Sequence, residues 1–352
     1  MLTKEGERSM HFRKLLLLAF LFSCLAPNLL TAGTLKVYWI DAEGGAATLV
    51  VTPAGESILI DTGNPGERDP GRINKLIREE AGLSKIDHLV VTHFDRDHYG
   101  GAADLSKLIS IGTLYDQGVC PQDRARVGEA YLNLECEARL VLTPGDELPL
   151  KQSANGPKLT ANVLGILQRN IQPNGLHQPN PVPSSGYSRK EPDLSHNANS
   201  VILLFEYGDF QFLDAADLSW NLEEYLVSPY NLVGEVDVYQ VDHHGLDRSN
   251  NTHFIHSIKP TVAVMNNAHK KGTGPQTVAG LRSSPGIEAI YQIHKCTREG
   301  EGHLNTHEDK IANLKSGDAC DGNHLFISVA ADGESYTVNV PRSGHVGKYK
   351  TR

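Results

Sequence analysis

The chain has 352 residues, 39% apolar and 21% charged, with 33 Gly and 18 Pro, which excludes a coiled coil, a multi-span membrane protein and a largely disordered chain. Lys and Arg total 33 against 42 Asp and Glu, a formal net charge of −9, so a broad footprint for duplex nucleic acid is not expected, although a local basic groove is compatible. Sixteen His beside three Met and two Trp is the unusual feature, and the question is where those imidazoles cluster.

The N-terminus reads as an export signal. Arg13 and Lys14 precede an apolar run from Leu15 to Ala26, too short to span a bilayer comfortably; Pro27 and Asn28 break it, and Leu30-Thr31-Ala32-Gly33 offers small residues for cleavage after Ala32. Residues 1–32 are expected to be a signal peptide or N-terminal anchor, with Cys24 in a partial lipoprotein box, and the protein to be periplasmic or secreted with no other membrane contact. Export would place Cys120, Cys136, Cys296 and Cys320 in an oxidising space. Of the three possible pairings the sequence-local one, Cys120–Cys136 and Cys296–Cys320, is expected, each bridge contributing about 2–4 kcal/mol.

From Leu35 the pattern is strand-like. Leu35 to Asp41 alternates, Glu43 to Ala46 turns, Thr48 to Thr52 runs back, and Ser57 to Asp61 follows as a buried strand. Arg72 to Ala81 has helical spacing and stops at Gly82, and Ile86 to Thr92 is the next strand. Residues 168–195, rich in Pro, Asn, Gln and Ser, interrupt this rhythm as an insert or lid. Beyond it, Ser200 to Tyr207 and Phe210 to Leu213 predict a hairpin and Leu218 to Val227 a helix. Val236 to Val241, Pro260 to Met265 and Ala289 to Ile293 predict strands, and Leu325 to Ala330 with Ser335 to Val340 a closing hairpin. The layout predicts one α/β domain over 33–345, a sheet layered with helices, with a strand-rich pattern that repeats between its halves.

Chemistry concentrates in Thr92-His93-Phe94-Asp95-Arg96-Asp97-His98-Tyr99-Gly100-Gly101. Two imidazoles and two carboxylates within six positions repel and desolvate one another at a cost that a divalent cation removes. Two further patches end predicted strands: Asp214-Ala215-Ala216-Asp217 and Asp242-His243-His244-Gly245. Asp217 alone could cap a helix and His243-His244 alone could be surface residues; three such clusters, each at a strand's carboxyl end, fit one site on a sheet edge.

His93-x-Asp95-x-Asp97-His98 followed by Gly100-Gly101 resembles the signature of the metallo-β-lactamase-fold superfamily, usually H-x-H-x-D-H. Leu59-Ile60-Asp61-Thr62-Gly63 before it, Asp217 after a later strand and a late His match the superfamily's order. More narrowly the chain resembles the hydrolase domain of ComEC-type DNA-internalisation competence proteins, in Asp95, in Asn197-Ala198-Asn199-Ser200, in His243-His244-Gly245 and in the Asp41 to Ala46 hairpin. The membrane-channel portion of those proteins has no counterpart here, so DNA import does not carry over. His196 lies near the place of a further superfamily ligand, but Asn197 fits the narrower motif better.

The resemblance implies an αββα sandwich of two mixed β-sheets flanked by helices, and a hydrolase with two divalent metal ions, Zn2+ or Mn2+. Asp95 in place of His favours the oxygen-preferring Mn2+. Asp97, His98 and His244 would hold one metal, His93 and Asp95 the other, with Asp217 bridging. Asp97 would join in catalysis, and His243 would touch the phosphoryl oxygen or protonate the leaving group, with an exchange of His243 and His244 left open. Asp61, Asn197 and Ser200 would support the ligands from behind. The expected substrate is a phosphodiester, in an oligonucleotide or a small molecule. Hydrolysis of an ester, lactone or β-lactam and a secreted metal-binding module without catalysis are the alternatives. Lys270, Lys271 and Asn266-Asn267 could line the pocket.

Overall fold

The computed structural model describes residues 33–352. The expected signal segment, its Cys24 and its cleavage position lie outside the described residues. Among the described residues no helix is long and apolar enough to cross a membrane.

The strands are β1 (Leu35–Trp39), β2 (Thr48–Val51), β3 (Ser57–Ile60), β4 (Lys85–Val90), β5 (Ser110–Asp116), β6 (Ala138–Val141), β7 (Leu159–Ile166), β8 (Arg169–Asn170), β9 (Ile202–Tyr207), β10 (Phe210–Asp214), β11 (Val238–Gln240), β12 (Val262–Met265), β13 (Ala289–His294), β14 (Ile311–Asn313), β15 (Leu325–Val329), β16 (Ser335–Val340) and β17 (His345–Lys350). They form a nine-stranded sheet ordered β17-β16-β15-β1-β2-β3-β4-β5-β6 and an eight-stranded sheet ordered β14-β13-β12-β11-β10-β9-β7-β8. Each sheet is mixed. In the first, antiparallel pairing from β17 to β3 gives way to parallel pairing from β3 to β6; in the second, β8, β7, β9 and β10 are antiparallel and β10 to β14 parallel. The repeated layout expected between the two halves is this shared order, a meander that leads into a parallel run.

Helices cover the outer faces because both sheets are apolar on both sides. The inner faces meet in a cluster that includes Val37, Trp39, Ile58, Phe205, Phe212, Val238 and Ile327. Trp39 and Phe212 meet edge to face with ring centroids 5.6 Å apart, a contact worth about 0.5–1.5 kcal/mol beyond the area it buries. Outside the first sheet, Leu59, Leu89 and Leu114 pack on α1 (Arg68–Lys75), α3 (Ala102–Leu105) and α4 (Arg124–Leu132) through Ile73, Leu105, Val127 and Tyr131. Outside the second, Leu213, Tyr239 and Ala263 pack on α5 (Trp220–Val227), α6 (Thr252–Ile258) and α7 (Pro275–Arg282) through Leu226, Phe254, Ile255, Val278 and Leu281. The fold is the αββα sandwich of two mixed sheets expected from the resemblance.

Differences from the expected elements are local. The helix expected over Arg72 to Ala81 begins at Arg68 and continues beyond Lys75 as a π-turn to Glu80. The nine-stranded sheet runs past residue 345, because β17 pairs with β16 along its full length. Residues 168–195 are mostly irregular, but they are strapped to the α5–α6 face. Asn180 Nδ2 donates to the Val227 carbonyl and to Ser257 Oγ, Trp220 Nε1 donates to the Ser188 carbonyl, and Lys190 N donates to Asn221 Oδ1.

The expected disulfides are not formed. All four described cysteines are free thiols, and each serves a different neighbourhood. Cys120 Sγ donates to Asp123 Oδ2 at 3.0 Å, Cys320 Sγ to Asp41 Oδ2 at 3.2 Å, Cys296 is buried at the end of β13, and Cys136 packs on the outer cluster beside α4.

Candidate metal centre

The carboxyl ends of parallel strands from both sheets converge. In the first sheet Ile60 lies opposite Val90, so Asp61 and Thr92 leave β3 and β4 side by side. Thr92 N donates to Asp61 Oδ1 at 2.8 Å, and the Thr92 hydroxyl to Asp61 Oδ2 at 2.6 Å. The signature then splits: His93 and Asp95 stand on an extended loop, while Asp97 and His98 ride on a helical turn, α2 (Arg96–Tyr99). Gly101 lets that turn close on β3, since a Cβ there would sit 2.2 Å from the Thr62 carbonyl oxygen.

In the second sheet Asp217 follows β10, and His243 and His244 follow β11, held by His243 N donating to the Ala216 carbonyl at 2.8 Å. His243 (φ 53°) and His244 (φ 56°) occupy the left-handed region, as does Asp61 (φ 61°). Such backbone costs on the order of 1–3 kcal/mol per non-glycine residue and collects at functional sites. The sheets are joined at the site by Val201 N donating to the Thr92 carbonyl.

His98 and His244 aim Nε2 at one focus, the His93 ring centroid lies 4.1 Å from that of His98, and the partners of all three fix which nitrogen carries the proton in the neutral ring. His98 Nδ1 is 2.7 Å from Asp61 Oδ2, an acceptor, so Nδ1 is the donor and Nε2 offers its lone pair. His244 Nδ1 likewise faces the Asn266 carbonyl at 3.3 Å. His93 Nδ1 is 3.0 Å from Thr92 Oγ1, whose own proton goes to Asp61, leaving His93 Nε2 bare, buried and without a partner. His98 Nε2 and His244 Nε2 stand 3.2 Å apart, and Asp217 Oδ2 lies 3.2 Å from the first and 3.3 Å from the second. Asp97 Oδ2 lies 3.6 Å from His244 Nε2. With the rings neutral, the Nε2 lone pairs and the Asp217 carboxylate repel one another, and a divalent cation satisfies them together; the donor set fits one. Among the described residues, Asp61, His93 and His98, and separately Asp97, His98 and His244, are sets whose ligand atoms lie within 4.8 Å of one another.

The electrostatics agree. Burial opposes charge on His98, but Asp217 and Asp61 outweigh it and hold its pKa well above the ordinary imidazole value, so a proton is drawn to a place where a cation would serve. Burial and the neighbouring His98 push His93 down to about 3. Burial would raise Asp217 and Asp97, yet surrounding imidazoles hold both below the usual carboxylate range, with Lys271 adding to the effect on Asp97.

Other expected residues stand at the margin. Asp95 is in neither set: Arg126 grips its Oδ1, and Oδ2 faces His93 Nε2 at 3.9 Å. His243 Nε2 lies 3.6 Å from Asp217 Oδ2 and 3.2 Å from the Asn197 amide nitrogen, and Nδ1 is 3.2 Å from Ser249 Oγ; burial lowers its pKa. His244, then, is the one of the pair aimed at the focus. Ser200 Oγ accepts from Asp217 N at 3.3 Å. His196 turns away, its Nε2 3.3 Å from Asp123. Lys271 pairs with Asp97 and donates to the Gly44 carbonyl.

Sequence reasoning missed the clamp from Arg126, which no local motif marks, and Thr92, whose position beside His93 in the signature was the available signal. It also missed a buried carboxyl pair behind the histidines. Asp242 is held well above the carboxylate range by burial and by Glu223, and Glu223 is raised to about 7 by burial.

Residues 40–130, which contain the signature and the Asp61 loop, match the family model for the metallo-beta-lactamase superfamily. Over that stretch the chain is similar to the metallo-β-lactamase superfamily. The chain is 33% identical over 144 residues to a UPF0173 metal-dependent hydrolase of Cupriavidus taiwanensis, covering 39% of this chain and 44% of that protein. It is 25% identical over 247 residues to Recombination protein 2 of Haemophilus influenzae, covering 69% of this chain and 26% of that protein. To Competence protein ComA of Neisseria gonorrhoeae it is 26% identical over 239 residues, 66% of this chain and 28% of that protein. The chain therefore spans less than half the length of the curated relatives it matches. Among solved structures it resembles CmlA, a diiron beta-hydroxylase from Streptomyces venezuelae, at 14% identity and a TM-score of 0.41, over 73% of this chain and 52% of that one.

Proposed function

We propose that this chain is an exported metal-dependent hydrolase of phosphodiesters, in small molecules or single-stranded oligonucleotides, working with two divalent cations, Zn2+ or Mn2+. The observation that carries the reading is the convergence of His98 Nε2 and His244 Nε2 with the Asp217 and Asp97 carboxylates, beside the ring of His93, whose buried Nε2 has no partner. Asp97, His98, His244 and Asp217 would hold one cation, and His93 with Asp217 and Asp95 the other, Asp95 turning from Arg126 to do so. Cations bound there polarise the scissile group and make water acidic enough to attack near neutral pH.

The chain's own residues supply orientation. Asp61 holds the His98 ring with Nε2 forward, and Thr92 does the same for His93. Ser200 fixes the backbone of Asp217. His243, held by Asn197 and Ser249, would contact the phosphoryl oxygen, or, once protonated by solvent, pass that proton to the leaving group. Lys271, partly exposed beside Asp97, would meet the anionic oxygens. A cavity of about 460 Å³ lined by Glu43, Asn64, Pro65, Arg68, Asp69 and Arg96 adjoins Arg96 of the signature and offers guanidinium groups to a further phosphate.

Support for a diester over a carboxylic ester or lactam comes from these cations at the mouth and from likeness to a Recombination protein and a Competence protein. The test is turnover of the metal-loaded chain on diester, carboxylic ester, lactone and β-lactam reporters. Diester cleavage that dominates supports the reading; cleavage confined to the other classes, or metal bound without any turnover, rejects it.

A further inference from the structure

A second group of side chains with metal-ligating chemistry lies apart from the centre above and is independent of the proposed function. Asp41 follows β1, His294 ends β13, and Cys320 precedes β15, so the three tie one sheet to the other. Asp41 and His294 are fully buried and Cys320 is half-buried. His294 Nε2 lies 2.7 Å from Asp41 Oδ1, Cys320 Sγ lies 3.2 Å from Asp41 Oδ2, and one ligand atom from each residue falls within 4.8 Å of the others. Backbone contacts hold the set in place: Glu43 N donates to Asp41 Oδ1 at 2.8 Å, and His294 N donates to Asn267 Oδ1 at 3.2 Å.

We propose that Asp41, His294 and Cys320 form an additional cation site, built for a borderline ion such as Zn2+ rather than for Mg2+ or Mn2+. Carboxylate oxygen, imidazole nitrogen and thiolate sulfur are zinc's donors, and the sulfur disfavours the harder ions. Cys320 binds as the thiolate, its proton passing to solvent on its exposed side, and bonds to the cation replace the hydrogen bonds from His294 and Cys320 to Asp41. Charge favours loading. Arg72 lies 3.1 Å from Asp41 and 3.6 Å from Glu43, while Arg68 and Asp69 beside them cancel each other. With a neutral thiol and imidazole, Asp41, Glu43 and Arg72 leave one net negative charge; a divalent ion with a thiolate brings the sum to zero.

The site would brace the loop from Asp41 to Ala46. That loop forms a wall of the main centre, since the Gly44 carbonyl accepts from Lys271, Ala46 N donates to the Asp97 carbonyl at 3.0 Å, and a Cβ at Gly45 would lie 2.5 Å from that same oxygen.

Cobalt tests this cleanly, because the main centre holds only nitrogen and oxygen donors. Co2+ is added to the full chain kept reduced with a phosphine, and sulfur-to-cobalt charge-transfer absorption is read in the near ultraviolet. The band is expected in the wild type, in Cys296→Ser, in Cys120→Ser and in the main-centre variant His98→Ala, and is expected to be lost in Cys320→Ser and His294→Ala. Circular dichroism checks that each variant is folded, and Cys320→Ser, at a half-exposed position, carries the decision if His294→Ala does not fold. No band in the wild type, a band that survives Cys320→Ser, or one lost with Cys296→Ser or Cys120→Ser would overturn the assignment.

Discussion

His98 and His244, 146 positions apart, present their Nε2 atoms to each other across 3.2 Å, one from the nine-stranded sheet and one from the eight-stranded. In the neutral rings neither nitrogen carries a proton, because His98 Nδ1 donates to Asp61 and His244 Nδ1 to the Asn266 carbonyl, and the Asp217 and Asp61 carboxylates draw positive charge onto His98. The packing of two sheets thus brings together groups that only a shared positive charge reconciles.

Asp61 controls the direction of one of those rings, so Asp61→Asn tests orientation separately from ligation. Asn tolerates the left-handed backbone at this position, and the variant is expected to fold. Metal affinity should fall about 10–100-fold, the scale of losing a carboxylate behind a ligand imidazole. Competition against a metal-sensitive dye reads this, and an unchanged affinity argues that His98 is not a ligand.

Asp97 and His243 are expected to separate binding from turnover. Asp97→Asn should abolish hydrolysis of a diester reporter and lower bound metal while the circular dichroism spectrum stays native. His243→Ala should keep the metal and turn over about 10²–10⁴-fold more slowly, the range for loss of a positioned proton-transfer group. Full turnover in Asp97→Asn contradicts the mechanism, and loss of metal in His243→Ala would exchange the roles of the two adjacent histidines.

Lys271 should act on substrate rather than on the fold. Lys271→Met is expected to raise KM for an anionic diester, with a smaller change for a neutral ester, and to leave metal content unchanged. Equal effects on both substrates would place Lys271 with Asp97 alone.

Much of the chemistry was legible in the sequence because it is local. The signature from His93 to His98 and the pair His243-His244 stand at strand ends that alternation and apolar runs already mark. What was not legible depends on distant contacts. Arg126 reaches Asp95 from α4, and only the folded backbone decides that of the two histidines near Asp217 it is His244 that also meets His98, while His243 turns to Asn197. The cysteine pairing failed for a related reason: proximity in sequence carried the expectation, whereas Cys320 is drawn to Asp41, 279 positions away. The edge strand β17 was missed because its exposed alternate residues give it little apolar signal.

Stability should depend on pH through Asp237, remote from the metal centre. Burial raises its carboxyl to about 6 against an ordinary 3.8, and Oδ1 has no partner. The folded chain therefore holds this proton more tightly than the unfolded chain does. Its contribution to stability is full below about pH 4 and is lost as pH rises to about 6 and beyond, a loss on the order of 3 kcal/mol. Asp237→Asn should remove that slope, unfolding at higher urea than the wild type at pH 7 and at a similar urea concentration near pH 4. A constant difference across that range would show that the carboxyl is not the cause.

The count of divalent metal per chain, by elemental analysis of wild type and Asp217→Asn after equilibration with Zn2+ or Mn2+ and removal of free ions, tests the central claim most directly. The wild type is expected to retain metal at the convergent site and Asp217→Asn to lose most of it while staying folded. A folded wild type that retains none, or an Asp217→Asn chain that keeps the full complement, would contradict the account.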